Sequence, residues 1–424
     1  MKQSPARFDY LDGLRGIAAL IVVIHHGFIY FDFGVYSGVP AEAKFQPWDL
    51  WWSGQTFLAL PIAGNFSVAV FFVLSGFVLA SVYSRTKLSV PQLIAKRYVR
   101  LVTPVAAASF FALAVGLFAL AIPPLQDYIP LVGGAASRNF TAQNALMAMA
   151  LCFKEAFFSA FITGIKPPTF NGVLWTMQIE FIGSCLMIGA FWLSRRVAPR
   201  SAHAAATLMM GIFLVLEWYS QLSLFAAGGI LFWIFGRGPL RVSKLTGAAG
   251  LCLIIAGIYL GTMPQAGGRP ELQNELLRWL GFDPKVLLSK SLVPWVPFQF
   301  MPVGIWHGLG AALLLAGVLM NRAARTLLTC RIALFLGFVS FPLYLVQANM
   351  RDITAKVVDE WLLKIGVNPT AAMLLAVASF VVATTIVAFW FARIVEWRAL
   401  RWSESAARYV AHPIAGFKSL LQGS

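Results

Sequence analysis

Charge is scarce in this chain. Of its 424 residues only 12% are Asp, Glu, Lys or Arg, and acidic groups are the rarer kind, 17 against 33 basic side chains. With 59% apolar residues and a mean hydropathy of +0.75, composition excludes an ordinary soluble domain and points to a polytopic membrane protein. Cysteine is also rare: Cys152, Cys185, Cys252 and Cys330 lie in or beside apolar segments without CxxC spacing. That pattern suggests neither zinc nor redox work and reads as small buried hydrophobes, so no metal is expected. The first apolar run lacks a small-x-small cleavage site and reads as an uncleaved anchor. Internal repeats and low-complexity tracts are missing too, which disfavours a transporter built from repeated halves. The net charge of +16 does not signal nucleic acid, because the basic residues sit in short clusters between apolar runs.

What is present is a series of apolar runs near residues 15–32, 66–84, 101–122, 172–193, 205–219, 222–237, 246–263, 301–320, 332–350 and 371–392. Their lengths predict an all-α, polytopic helical bundle of about ten transmembrane helices. The Glu217–Gln221 stretch is either a tight turn or a polar interruption of one long segment. Basic residues recur on alternate connections, from Lys2 and Arg7 through Arg85–Arg100, Arg195–Arg200, Arg237–Lys244 and Arg322–Arg331 to a tail beginning at Arg393. That alternation predicts both termini in the cytoplasm, with residues 393–424 as a basic cytoplasmic tail. The longer connections, Pro123–Asn171 and Met263–Phe300, are too short for a separate catalytic domain, so residues 1–424 read as one integral-membrane domain. Within the first, Asn144–Ile162 is apolar but carries Lys154 and Glu155, and is expected to be an interfacial or re-entrant helix.

Polar residues inside apolar spans are costly to bury and are therefore candidates for function. In DYLDGLRGIAALIVVIHHGFIYF, Arg15 and His26 are eleven positions apart, close to three helical turns, so they share one face with His26 about 16 Å further along the axis. His25 is turned about 100° away and is expected at most to orient the site. Asp12 and Arg15 are three apart and can pair across a turn, which also describes a plain charge-compensated helix start. Lys96, Arg97 and Arg100 stand where a cytoplasmic connection becomes the third span; such a fork suits phosphate, and equally serves as a topology signal. Glu180, about 12 Å into the fourth span, reaches toward the depth expected for His26, where it would steer an imidazole or form a structural salt bridge. Further candidates are Ser75, Trp175, His307, Ser340 and Tyr344, of which the two serines commonly bond their own helix backbone.

These blocks together resemble the membrane-bound acyltransferase 3 family. The likeness rests on DGLRGIAALIVVIHH, where Arg15 and His26 stand in an R-x10-H arrangement, on FFVLSGFVLA, on the RxxR of Arg97 and Arg100, on LWTMQIEF and on SFPLYLVQ. It departs at Gln347, where the family commonly has histidine, and no catalytic duty is assigned there. The fused esterase-like outer domain of some relatives is not expected. The resemblance implies transfer of an acyl group, most often acetyl, from acetyl-CoA or another acyl-CoA to a hydroxyl of a carbohydrate or glycosylated acceptor. Arg15, Lys96, Arg97 and Arg100 would then meet the donor, and His26 would deprotonate the acceptor or carry the acyl group, aided by Glu180 and His25. The expected setting is the lipid bilayer of a cell membrane, the bacterial inner membrane first, and a homo-oligomer is left open.

Two other classes compete. A proton-coupled transporter or flippase of a lipid-linked sugar would use His26 and Glu180 as a relay and consume no acyl-CoA. A membrane scaffold would use the same residues as polar locks, with no turnover.

Overall fold

The computed structural model describes residues 8–45, 48–54, 57–120, 142–165, 169–217, 220–236, 243–263 and 302–411. Among these there is no β-strand. In chain order the helices are α1 (Asp9–Phe31), α2 (Gly64–Tyr83), α3 (Val90–Leu120), α4 (Ala142–Lys154), which continues as a π-helix over Glu155–Thr163, α5 (Trp175–Val197), α6 (Ala202–Leu216) and α7 (Ser223–Phe235). They continue with α8 (Lys244–Gly261), α9 (Pro302–Met320), α10 (Arg322–Leu328), α11 (Arg331–Met350), α12 (Lys356–Lys364), α13 (Pro369–Phe391) and α14 (Trp397–Ala411).

Eight helices among the described residues are long and apolar enough to cross a membrane, and a ninth is added if α9 and α10, bent by 100°, count as one broken span. The shorter α6 and α7 are apolar as well. Each of the ten expected runs holds a helix, and the break at Glu217 is real, since α6 ends at Leu216 and α7 begins at Ser223. The protein is an all-α, polytopic membrane protein. Asn144–Thr163, expected to be interfacial or re-entrant, is a helix of 20 residues that is long and apolar enough to cross. Its apparent interruption is absorbed because the Glu155 carboxylate is buried and accepts from Thr169 Oγ1 and the Phe170 and Asn171 amides. The connections 121–141 and 264–301 lie outside the described residues, as do Arg237, Arg241 and the tail beyond 411.

Local chemistry sets several boundaries. Pro369 opens α13 behind Asn368, whose side chain accepts from the Thr370 and Ala371 amides, the pairing of cap and first-turn proline that leaves fewest unsatisfied N–H groups. Asn321 caps α10 through the Ala324 amide at 2.9 Å, which fixes the sharp break after α9. Gly366, at φ +82°, ends α12 in the left-handed conformation that a side chain resists.

The chain forms two compact units. One comprises residues 1–81 and 203–341. In it α8 packs along α9 through paired small residues: a Cβ on Gly257 would meet Gly310 O at 2.7 Å, and one on Gly250 would meet Gly317 O at 2.8 Å. Such approach lets backbones pack closely where lipid supplies no hydrophobic drive between helices. Gly16 of α1 abuts Gly337 of α11 in the same way, its missing Cβ lying 2.3 Å from the Gly337 nitrogen. The glycines of DGLRG are therefore packing contacts. The other unit comprises residues 82–202 and 342–424. There α14 runs antiparallel to the start of α3, with Gln92 bonded to Ala407 O and Arg100 bonded to Glu396 O. The α14 face against α3 carries the small buried residues Ala399, Ser403 and Ala407, four apart.

Candidate active site

The first unit holds one half of the candidate residues. Arg15 is exposed on α1, with its guanidinium bonded to Asp12 Oδ1 at 3.0 Å and to Ser340 Oγ at 3.1 Å. Ser340 is buried and in turn donates to Gly337 O at 2.8 Å. Asp12 and Arg15 thus pair across the turn, and Ser340 adds a long-range anchor. Ten residues further along the helix the two histidines part company. His25 is buried, 5% exposed, while His26 lies on the partly open side that also carries Arg15. The ring centroids are 5.3 Å apart.

His25 is held firmly. Its Nδ1 lies 2.6 Å from the carbonyl oxygen of Ile62. A carbonyl only accepts, so Nδ1 carries a proton and donates it to Ile62 O. Gly64 makes room for this ring: a Cβ there would fall 2.3 Å from His25 Cδ2. Tyr36 packs edge-on to the same imidazole, with centroids 5.2 Å apart. His307 on α9 is buried and donates from Nε2 to Met263 O at 3.1 Å. Ser75 is half-buried within α2.

The second unit gathers the basic cluster. Arg97 on α3 is bonded to the Glu180 carboxylate and, at 2.8 Å, to Ser184 Oγ, both on α5. Arg97 and Glu180 side chains are only 18% and 13% exposed. Arg100 pairs with Glu396 Oε2 at 2.6 Å and Lys96 with Glu404 Oε1 at 3.6 Å. All three cations of this cluster therefore carry carboxylate partners, and Glu180 is engaged with Arg97. Tyr344 is buried with its hydroxyl 2.9 Å from both Thr176 Oγ1 and Val173 O, and Trp175 is half-buried at the start of α5. Gln347 donates to Tyr344 O within α11. Among the described residues no group of three His, Cys, Asp or Glu side chains is placed to hold a metal.

Sequence reasoning missed Glu396 and Glu404, which lay in a stretch read only as a basic tail. Their spacing of eight on an amphipathic helix was the available signal. It also missed Asn65, at the start of α2, which donates to the hydroxyl of Tyr36, the ring packed edge-on to His25.

A polytopic all-α membrane protein with imidazoles inside one span and a guanidinium cluster on another defines the class. Residues 8–393 match the acyltransferase 3 family, described as an acyltransferase domain, and the chain belongs to that family. It is 29% identical over 256 residues to the O-acetyltransferase PaAT-1 of Phomopsis amygdali, an alignment covering 53% of this chain and 48% of that protein. The chain thus spans about half the length of the curated relative it matches. No solved structure matches it.

Proposed function

We propose that the protein is a membrane-bound O-acyltransferase that moves an acyl group, most simply acetyl, from acyl-CoA to a hydroxyl of a carbohydrate or glycosylated acceptor. The observation that carries this reading is family membership across residues 8–393, and the O-acetyltransferase relative supports oxygen as the receiving atom.

In this reading the basic ends of α1 and α3 face the cytoplasm of a cell membrane, where acyl-CoA is found, and both termini lie on that side. The alternation of basic connections supports it provided that Asn144–Thr163 does not cross. Arg97 and Arg100 bind donor phosphates, with Lys96 beside them, because guanidinium groups make paired, charge-assisted bonds to phosphate oxygens. Donor phosphates then compete with Glu180, Glu396 and Glu404 for these cations, while Glu180 also fixes the orientation of Arg97. Arg15 takes a further part of the donor.

His26 removes the proton from the acceptor hydroxyl as its oxygen attacks the thioester carbonyl. The carbon–sulfur bond then breaks, and the departing CoA sulfur takes that proton from the imidazolium, leaving an O-ester and free thiol. A covalent route through acyl-His26 yields the same products, and labelled donor supplied alone would leave label on the protein only in that case. His25, anchored by Ile62 O, holds the neighbouring ring in place. Purified protein given acetyl-CoA and an extract of membrane glycans should release thiol and acetylate the glycans; acceptor movement without thiol release would instead support the flippase reading.

A further inference from the structure

At the end of α1 opposite Arg15, the first unit contains a cleft of about 370 Å³, its open mouth included. It is bounded by the starts of α2 and α9, the end of α8 and the single helical turn after α1. Tyr36, Gly64, Asn65, Thr262, Met263 and His307 contribute to its walls, and among the described residues no Asp, Glu, Lys or Arg does. The remaining walls are small apolar residues.

The hydrogen bonds around it are unevenly used. Thr262 spends its proton on Ile258 O and accepts from the Phe57 amide. Tyr36 accepts from Asn65 Nδ2 at 3.0 Å, which leaves its own hydroxyl proton uncommitted among the described residues. His307 is 4% exposed; its Nε2 is spent on Met263 O, and its Nδ1 has no partner among the described residues. A buried acceptor of this kind calls for a donor. Among the described residues the cleft therefore offers the Tyr36 hydroxyl proton, the Asn65 amide and the His307 Nδ1 acceptor beside apolar surface, without a charged lining residue. Gly64, one of its lining residues, also packs on His25, where an added Cβ would meet the Cδ2 side of the imidazole.

We propose that this cleft seats the hydroxyl-bearing edge of one uncharged sugar ring and is the acceptor subsite of the transferase. A sugar edge supplies hydroxyls that donate to His307 and accept from Tyr36, and its C–H face suits the small apolar walls. A carboxylated sugar finds no counter-charge there and would have to shed its water uncompensated. This subsite rests on the acyl-transfer reading for its role, though not for its ligand chemistry.

The test uses full-length protein carrying Asn65→Cys, with Ala63→Cys as a second position, and a membrane-impermeant methanethiosulfonate whose attachment is followed on the relevant peptide by mass spectrometry. Methyl glucoside and methyl N-acetylglucosaminide are the probes, with methyl glucuronide as the charged comparison. Neutral probes at about twice their dissociation constant should slow labelling about threefold by mass action. The glucuronide should not, and His307→Ala in the same background should abolish the protection while labelling continues. Failure of both cysteines to label, equal rates with and without neutral probes, or equal protection by the glucuronide would overturn the proposal. Protection without any acetyl-CoA thiol release would leave the cleft standing and remove the transferase reading; thiol release without protection would do the reverse.

Discussion

Arg15 reaches Ser340 with a 3.1 Å hydrogen bond that joins residues 325 positions apart. Ser340 is tied to its own helix through Gly337 O, as expected of a serine in a span, yet the same oxygen also receives the Arg15 guanidinium. The start of α1 is thereby fixed to α11 both by this bond and by the Gly16–Gly337 contact. Ser340→Ala should free Arg15 to swing, raising the donor KM a few-fold with little loss of kcat, because one exposed charged hydrogen bond contributes about 1–2 kcal/mol. Steady-state kinetics at varied acetyl-CoA checks it.

The Arg97–Glu180 pair is partly buried, so removing one member strands the other. Glu180→Gln should lower stability by about 1–3 kcal/mol, discounted from the cost of a fully buried pair. Arg97→Ala with Arg100→Ala should raise the donor KM about tenfold or more while leaving acceptor KM unchanged. Denaturation in detergent and donor titration separate the two effects. An unchanged donor KM would reduce the cluster to a topology signal.

Helix packing by small residues predicts a steric penalty. Gly257→Leu must displace Gly310 O, 2.7 Å from its Cβ, and should cost about 1–3 kcal/mol or more. Gly189→Leu, with open space around its Cβ position, should be nearly neutral. Comparing their melting temperatures in one detergent tests the contrast.

Asp32, just beyond α1, is fully buried and close to Asp49. Burial first, and then the adjacent Asp49 carboxyl, raise its pKa above the ordinary carboxylate value. A raised pKa means that the folded state prefers the protonated form. Its stabilising effect is complete below the ordinary carboxylate pKa and fades as pH rises from there through the raised value. Melting temperature should therefore fall over that window in the wild type, and Asp32→Asn should flatten the fall. A wild-type profile that rises through the same window would contradict the protonated-acid description.

Much of α1 was legible because helical periodicity is local. Eleven residues put Arg15 and His26 on one side, and the 100° step between neighbours turned His25 away from them. The ten apolar runs were legible for the same reason. What stayed hidden was long-range. Nothing in the local pattern says that Lys96 meets Glu404, that Arg97 meets Glu180, or that His25 finds the carbonyl of Ile62 in a connection. In Asn144–Thr163 the carboxylate of Glu155 reads as a break in an apolar run until its three hydrogen-bond donors, supplied by residues 169–171, are seen.

Acyl transfer through His26 is tested most directly by quantifying thiol release from acetyl-CoA and acetylated membrane glycan together, with purified wild type and His26→Ala compared at equal folded concentration. Coupled formation of thiol and O-acetyl glycan by the wild type, with at least about a hundredfold loss in the variant, is the predicted result. Equal turnover by His26→Ala, or glycan movement by the wild type with no thiol released, would contradict it.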